Sequence, residues 1–348
     1  MIKVGIIGLG FMGRMHFNVL RTYENVKVTA LCDVEPDKLA GGWLKVEGNI
    51  KDERATGQVD LSGIEMFSDG NDLVRKADVN MVVVTTPDYL HRPYAVAALE
   101  AGKDVVSEKP MAITIEDADA MVDASIASGK YMCVAQCVRF WPDYVAAREI
   151  VQGRAYGKVQ SAWFRRVGGV PVWSWKQWFL DGRLSGGPLL DLHVHDIDYI
   201  QNLFGVPREV SAVGTIDTTC NHGAVDHVIA NYYYGDDGPV VSAQAGWYTN
   251  GYPFEMSFTI HLERATLLYN TSTNTRLTIF LPDGSTQKPK LLEGDGYSRE
   301  IAYFIDCISK RQYPEKMPPM EARNNIAIAL AEREAILTGR RAPVQCRR

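Results

Sequence analysis

Cysteine is sparse and scattered: Cys32, Cys133, Cys137, Cys220, Cys307 and Cys346 form no CxxC pair and no dense framework. That spacing argues against a zinc knuckle and a disulfide scaffold, and it suits a reducing, cytoplasmic setting. Basic charge is not in excess either. Lys and Arg number 37 against 42 Asp and Glu, a formal charge of -5, whereas nucleic-acid binding leans on a basic surface, so no such partner is expected. No apolar run reaches the roughly 20 residues needed to span a bilayer, and no membrane partner is expected. The opening MIKVGIIGLG has no charged leader ahead of a long apolar core and enters a strand pattern at once, so no signal peptide is read. Internal repeats and low-complexity segments are lacking.

What is present is an ordinary globular composition, 46% apolar and 23% charged over 348 residues, long enough for two domains with real cores. Through residue 125, short apolar runs (Ile2 to Ile7, Val26 to Leu31, Met81 to Val84, Asp104 to Val106) alternate with amphipathic stretches such as Tyr94 to Ala101 and Ile115 to Ala127. Such alternation predicts a doubly wound α/β domain over 1–125, its parallel sheet covered by helices on both faces. A polar stretch from Gly48 to Ser62 reads as a surface loop. After Gly153, longer runs dominate: Val159 to Val167, Val225 to Tyr234, Val240 to Tyr248, Phe254 to Leu262 and Thr275 to Leu281. They predict an α+β domain over 126–348 with a mostly antiparallel, open sheet and helices on one face. Helical patterns at Ser298 to Lys310 and Glu321 to Leu337 close the chain, and the last is free to return to the first domain.

The first strand runs into GLGFMG, the G-x-G-x-x-G of a dinucleotide-binding Rossmann turn, with Gly8, Gly10 and Gly13 as its glycines and Phe11 and Met12 between them. Gly8 permits the tight turn, Gly10 lets backbone approach a pyrophosphate, and Gly13 allows close helix packing. Twenty residues beyond Gly13, at the end of VTALCD, stands Asp33. A carboxylate there accepts hydrogen bonds from the adenosine ribose and repels a 2'-phosphate, which favours NAD over NADP. The fourth strand ends in TTPDYLH, placing Thr85, Thr86, Pro87 and His91 at the carboxyl edge of the sheet, where ligands of such folds bind. The fifth ends in SEKP on the same edge, with Glu108 and Lys109.

These stretches, with QCVRFWPDY (136–144), GGPLLDLHVHDID (186–198) and the tail patterns YSREIAYFIDCI and IAIALAEREAI, resemble the Gfo/Idh/MocA oxidoreductases, the glucose-fructose oxidoreductase and inositol dehydrogenase group. The resemblance covers nearly the whole chain. It implies that Lys109, Asp191 and His195 line a pocket beside the nicotinamide ring, and that dimers or tetramers form through the open face of the C-terminal sheet. His193 departs from the small residue usual at its position, which leaves the pocket's shape, and with it the substrate, open. Arg139 of the second motif and His193 join the candidates for substrate contact.

The residues have their own reading. GGPLLDLHVHDIDYIQNLF predicts one helix with Pro188 in its first turn. At 100° per residue, Asp191, His195, Asp198 and Asn202 fall within about 60° on one polar stripe, with Leu192, Ile197, Ile200, Leu203 and Phe204 opposite. His193 and His195 then point about 160–200° apart and cannot share an ion, so no metal is expected. His193 is expected beside Asp196 in a buried pair. An imidazole with a carboxylate one turn away suits a general base, and an ammonium suits a developing alkoxide. His195 would take the hydroxyl proton, Asp191 orient it, and Lys109 hold the reacting oxygen. Arg165 and Arg166 end a strand before this region, and Trp173, Trp175 and Trp178 offer faces for the C–H surface of a ring; Arg166 and Trp175 are taken as substrate candidates.

The expected activity is NAD-dependent oxidation of a secondary hydroxyl on a cyclitol or sugar. Two alternatives stay open: a glycosidase-type enzyme that retains NAD through a transient keto-glycoside, and a non-catalytic sugar sensor on a dehydrogenase scaffold.

Overall fold

A computed structural model describes residues 1–43, 48 and 59–347. Most of the expected polar loop, residues 49–58, lies outside them. Two compact units divide the chain. Met1–Gln136, Trp173–Trp175 and Tyr297–Arg323 form the first; Cys137–Val172, Lys176–Gly296 and Asn324–Arg348 form the second.

In the first unit six parallel strands, β1 (Ile2–Ile7), β2 (Val26–Cys32), β3 (Glu65–Phe67), β4 (Met81–Val84), β5 (Asp104–Glu108) and β6 (Met132–Ala135), lie in the order β3-β2-β1-β4-β5-β6. β3 and β6 were not singled out by the sequence pattern. The strand order reverses at β1 and β4, the switch point at which a crevice opens beyond the carboxyl ends of the strands. β4 and β5 are buried along their whole length, which is why β4 reads as an unbroken apolar run rather than an alternating one. Helices Phe11–Leu20, His91–Glu100 and Ile115–Ser128 connect them. The last is bounded as its residues dictate: the Thr114 hydroxyl accepts from the Asp117 N–H, and Gly129 ends it at φ 64°.

The second unit holds a nine-stranded sheet. Its strands are β7 (Val159–Gly169), β8 (Glu209–Ile216), β9 (Val225–Tyr233), β10 (Val240–Tyr248), β11 (Glu255–Leu262), β12 (Ala265–Asn270), β13 (Thr275–Phe280), β14 (Thr286–Gln287) and β15 (Ala342–Pro343). They run β14-β13-β12-β11-β7-β10-β9-β8-β15, antiparallel except where β7 pairs with β10. One face is covered. Tyr144 and Tyr199, from helices Pro142–Gln152 and Val194–Phe204, meet each other edge-on with ring centroids 4.7 Å apart, and Tyr144 meets Phe258 of β11 at 5.0 Å and Tyr199 meets Phe164 of β7 at 6.0 Å in the same way.

The stretch expected as one helix from Pro188 onward is two, Pro188–Asp191 and Val194–Phe204. The His193 N–H reaches back five residues to the Pro188 carbonyl at 2.8 Å, and the second helix starts afresh from the His193 carbonyl, which accepts from Asp196 and Ile197. Such a widened turn resets the angular count, so a stripe drawn at 100° per residue does not carry across it.

Candidate active site

The glycine turn is held by contact as well as by conformation. Gly8 sits at φ +98°, and a Cβ there would come within 2.6 Å of the Thr85 carbonyl oxygen. At Gly13 a Cβ would stand 2.0 Å from the Gly8 carbonyl oxygen, whereas at Gly10 it would meet nothing within 4 Å. Two glycines are thus needed for packing, and the third leaves backbone open to a ligand. Gly10 caps helix Phe11–Leu20, whose first turn carries no acidic residue and no side-chain cap, so its N–H groups and dipole are suited to a pyrophosphate. Phe11 and Met12 lie in that first turn, half-buried. The Thr85 hydroxyl clips the turn from β4, donating to the Gly8 carbonyl at 2.6 Å.

Asp33 closes β2 beside this turn. Its carboxylate accepts the Leu9 N–H at 2.7 Å and the Glu35 N–H at 2.9 Å, with the Lys38 ammonium 3.4 Å away. Trp175, expected in the substrate pocket, belongs to the first unit. Its indole N–H donates to Glu35 at 3.0 Å, two residues past Asp33.

At the ends of β4 and β5, His91 is fully buried and bridges two loops, Nε2 at 2.9 Å from the Thr86 carbonyl and Nδ1 at 2.8 Å from that of Pro110. Burial holds its pKa below the usual imidazole value although both carbonyls favour the cation. Pro87 leads the short turn Asp88–Leu90 between Thr86 and His91. Glu108 is buried as well. One carboxylate oxygen lies 2.6 Å from Nε2 of His16, in the helix after the glycine turn, and the other accepts the Lys109 N–H at 3.2 Å. Glu108 therefore anchors the backbone that presents Lys109 to the same helix that opens the glycine turn. No signal in the sequence marks His16 for this.

In the second unit Asp191 ends the first short helix, buried, and His195 stands in the opening turn of the next, half-buried. They fall on either side of the break, and Lys109 belongs to the first unit. Asp198 does not share an open stripe with them. It is buried, both its oxygens engaged by Arg139 at 2.6 and 2.7 Å, with the Asn325 amide at 2.7 Å. Arg166 makes a second buried fork to Asp196 at 3.0 and 3.1 Å. Burial opposes the guanidinium charge, but Asp196 and Tyr144 outweigh it and raise the pKa. His193 is buried as expected, yet its partner is not Asp196, which Arg166 has taken. Its Nε2 lies 3.2 Å from Glu332 and 3.1 Å from the Tyr232 hydroxyl, which itself donates to Glu332 at 2.8 Å. These partners come from β9 and the last helix, far off in sequence, where local spacing gives no hint. Among the described residues no cluster of His, Cys, Asp and Glu is arranged to hold a metal.

Residues 2–136 match the model of an oxidoreductase family with an NAD-binding Rossmann fold, and residues 144–268 match the Gfo/Idh/MocA C-terminal domain. The chain is 28% identical over 219 residues to 2,7-anhydro-N-acetylneuraminate hydratase of Escherichia coli K12, covering 62% of this chain but only 53% of that one. It is 28% identical over 257 residues to inositol 2-dehydrogenase of Salmonella typhimurium LT2, covering 68% and 69%. The solved structure of levoglucosan dehydrogenase in complex with NADH and levoglucosan superposes with a TM-score of 0.81 over 99% of both chains at 22% identity, a likeness of fold. Two matched family domains in chain order, the first carrying the glycine turn and Asp33 and the second the Asp191 and His195 helices, make the protein a member of the Gfo/Idh/MocA family of NAD-binding oxidoreductases.

Proposed function

We propose that the protein oxidises a secondary hydroxyl of a small polyhydroxylated ring, a cyclitol or a sugar, with NAD as hydride acceptor. The observation that carries the reading is Lys109: a lysine on a buried strand end, its backbone anchored by Glu108 and the adjoining loops by His91, at the edge where the dinucleotide turn opens. An ammonium there would stabilise negative charge developing on a substrate oxygen. Gly8, Gly10 and Gly13 with Phe11 and Met12 would hold the pyrophosphate, Asp33 the adenosine ribose, and Thr85, Thr86, Pro87 and His91 would shape the floor under the nicotinamide. Bound there, NAD would supply a hydride acceptor for the carbinol carbon. Lys109 stabilises the alkoxide as the C–H bond weakens, His195 accepts the hydroxyl proton, and Asp191 orients the imidazole or grips a neighbouring hydroxyl.

The inositol 2-dehydrogenase likeness supports a cyclitol or sugar as the substrate class. Arg139, Arg166 and His193, each committed to a buried partner, are assigned to the frame around the site rather than to the substrate. A panel of inositols, hexoses and glycosides, followed by absorbance of NADH, tests the reading: one member should reduce free NAD stoichiometrically. Turnover of a glycoside without net NADH would favour the retained-cofactor alternative instead.

A further inference from the structure

Gln136 follows the last residue of β6 and is 3% exposed, yet neither its amide oxygen nor its amide nitrogen has a hydrogen-bond partner among the described residues. Thr86, at the end of β4, also carries a buried hydroxyl oxygen with no partner. A buried, unsatisfied polar group costs about 1–3 kcal/mol, and native proteins hold few of them. Two at the ends of the strands that flank β5 call for an explanation.

The sheet register supplies it. β4 and β5 pair Val84 with Ser107, and β5 and β6 pair Glu108 with Ala135. Thr86, Lys109 and Gln136 lie just beyond these strand ends, and the same register continued by two residues and by one would set Thr86 beside Lys109 and Lys109 beside Gln136. A hydroxyl, an ammonium and an amide would then follow one another across the carboxyl edge, at the spacing of about 4.8 Å from strand to strand. That row would continue the line that begins at the glycine turn, since β1 pairs Ile7 with Val84. His91, bonded to the carbonyls of Thr86 and Pro110, ties the loop that carries Lys109 to the loop after β4.

We infer that Gln136 is a further cofactor-binding residue, its side-chain amide pairing with the carboxamide of the nicotinamide ring. An amide offers a donor and an acceptor side by side, and a carboxamide presents the matching pair. The inference rests on the reading that a dinucleotide lies along this edge with its nicotinamide beyond the glycine turn. Gln136 then fixes the plane of the ring over Lys109, and its unmet hydrogen bonds in the free protein are a stability cost taken for function.

The test uses wild type and Gln136→Met, which keeps the side-chain length and removes both polar atoms. NADH and ADP-ribose, which lacks the nicotinamide, are titrated against each, and thermal midpoints of the free proteins are measured. Gln136→Met should bind NADH about tenfold more weakly, consistent with loss of hydrogen bonds worth roughly 1–2 kcal/mol. ADP-ribose affinity should be unchanged, and the free variant should melt at or above the wild-type midpoint. Equal NADH affinity would overturn the inference, as would a parallel loss of ADP-ribose binding or a lowered midpoint, which would mean that the amide is satisfied in the free protein. A higher substrate KM with unaltered NADH binding would also overturn it and give Gln136 to the substrate. Wild type that binds neither NADH nor ADP-ribose would sink the dinucleotide reading itself, an outcome distinct from all of these.

Discussion

The Asp33 carboxylate fixes the Leu9 N–H of the glycine turn, and we propose that it also accepts hydrogen bonds from the adenosine ribose. Asp33→Ser removes both the acceptor and the charge that repels a 2'-phosphate, and it frees Lys38, now 3.4 Å away, to face a phosphate instead. The variant should bind NAD more weakly and discriminate less against NADP. An unchanged ratio of the two dissociation constants would show that Asp33 does not read the ribose. Lys109 and His195 are proposed to act on one oxygen. Lys109→Ala and His195→Ala should each lower turnover by about two to four orders of magnitude, with much smaller effects on NAD affinity. Because groups that act as a unit are not additive, the double variant should be little worse than the poorer single one. Near-normal turnover of Lys109→Ala would make the lysine structural and end the proposed mechanism.

Between the helices Pro188–Asp191 and Val194–Phe204, the element scale decides what the residue pattern could not. The glycine turn, Asp33 and the ends of β4 and β5 were legible because steric demands and strand termini are local, readable within a few residues. The break at His193 was not, nor were the tertiary partners of its residues: Glu332 and Tyr232 reach His193 from the last helix and β9, and Arg139 takes Asp198 out of the expected stripe. Period-based reasoning assigns faces and is blind to which buried charge is waiting on another element. The buried group also has a titration. Burial opposes the His193 imidazolium, but Glu332 and, more weakly, Asp196 outweigh it against the opposing Arg166 charge, so the pKa is raised above 6.5. A pKa raised on folding contributes stability that is complete below the unfolded value and lost as pH climbs through the folded one. The wild-type unfolding midpoint should therefore fall as pH rises above 6.5, and His193→Gln should flatten that slope. A variant with the wild-type slope would assign the pH dependence to another group.

For the molecule as a whole, the uncovered face of the nine-stranded sheet poses the remaining question. Burial alternates along β9, where Val228, Ala230 and Tyr232 are buried while Ile229 is 47% exposed. Its neighbours on the open face follow from register: Val213 of β8, 67% exposed, pairs with Ile229, and Trp163 of β7, 39% exposed, lies in the next row opposite Ser242. Large apolar side chains spread over three strands of one flat face are a surface that association would cover, and a face meeting its own copy about a twofold axis needs no other partner. We propose that the protein forms a homodimer or homotetramer through this face. Ile229 and Trp163 are only partly covered within the chain, so Ile229→Asp and Trp163→Asp should lower the thermal midpoint of the isolated subunit modestly while leaving it folded. In the assembly each would bury a carboxylate without a partner in an apolar interface, a costly desolvation. Light scattering at micromolar concentration should give a multiple of 38.7 kDa for wild type and a single subunit for the double variant. A monomeric wild type would remove the proposal, and an oligomeric double variant would move the interface to another face.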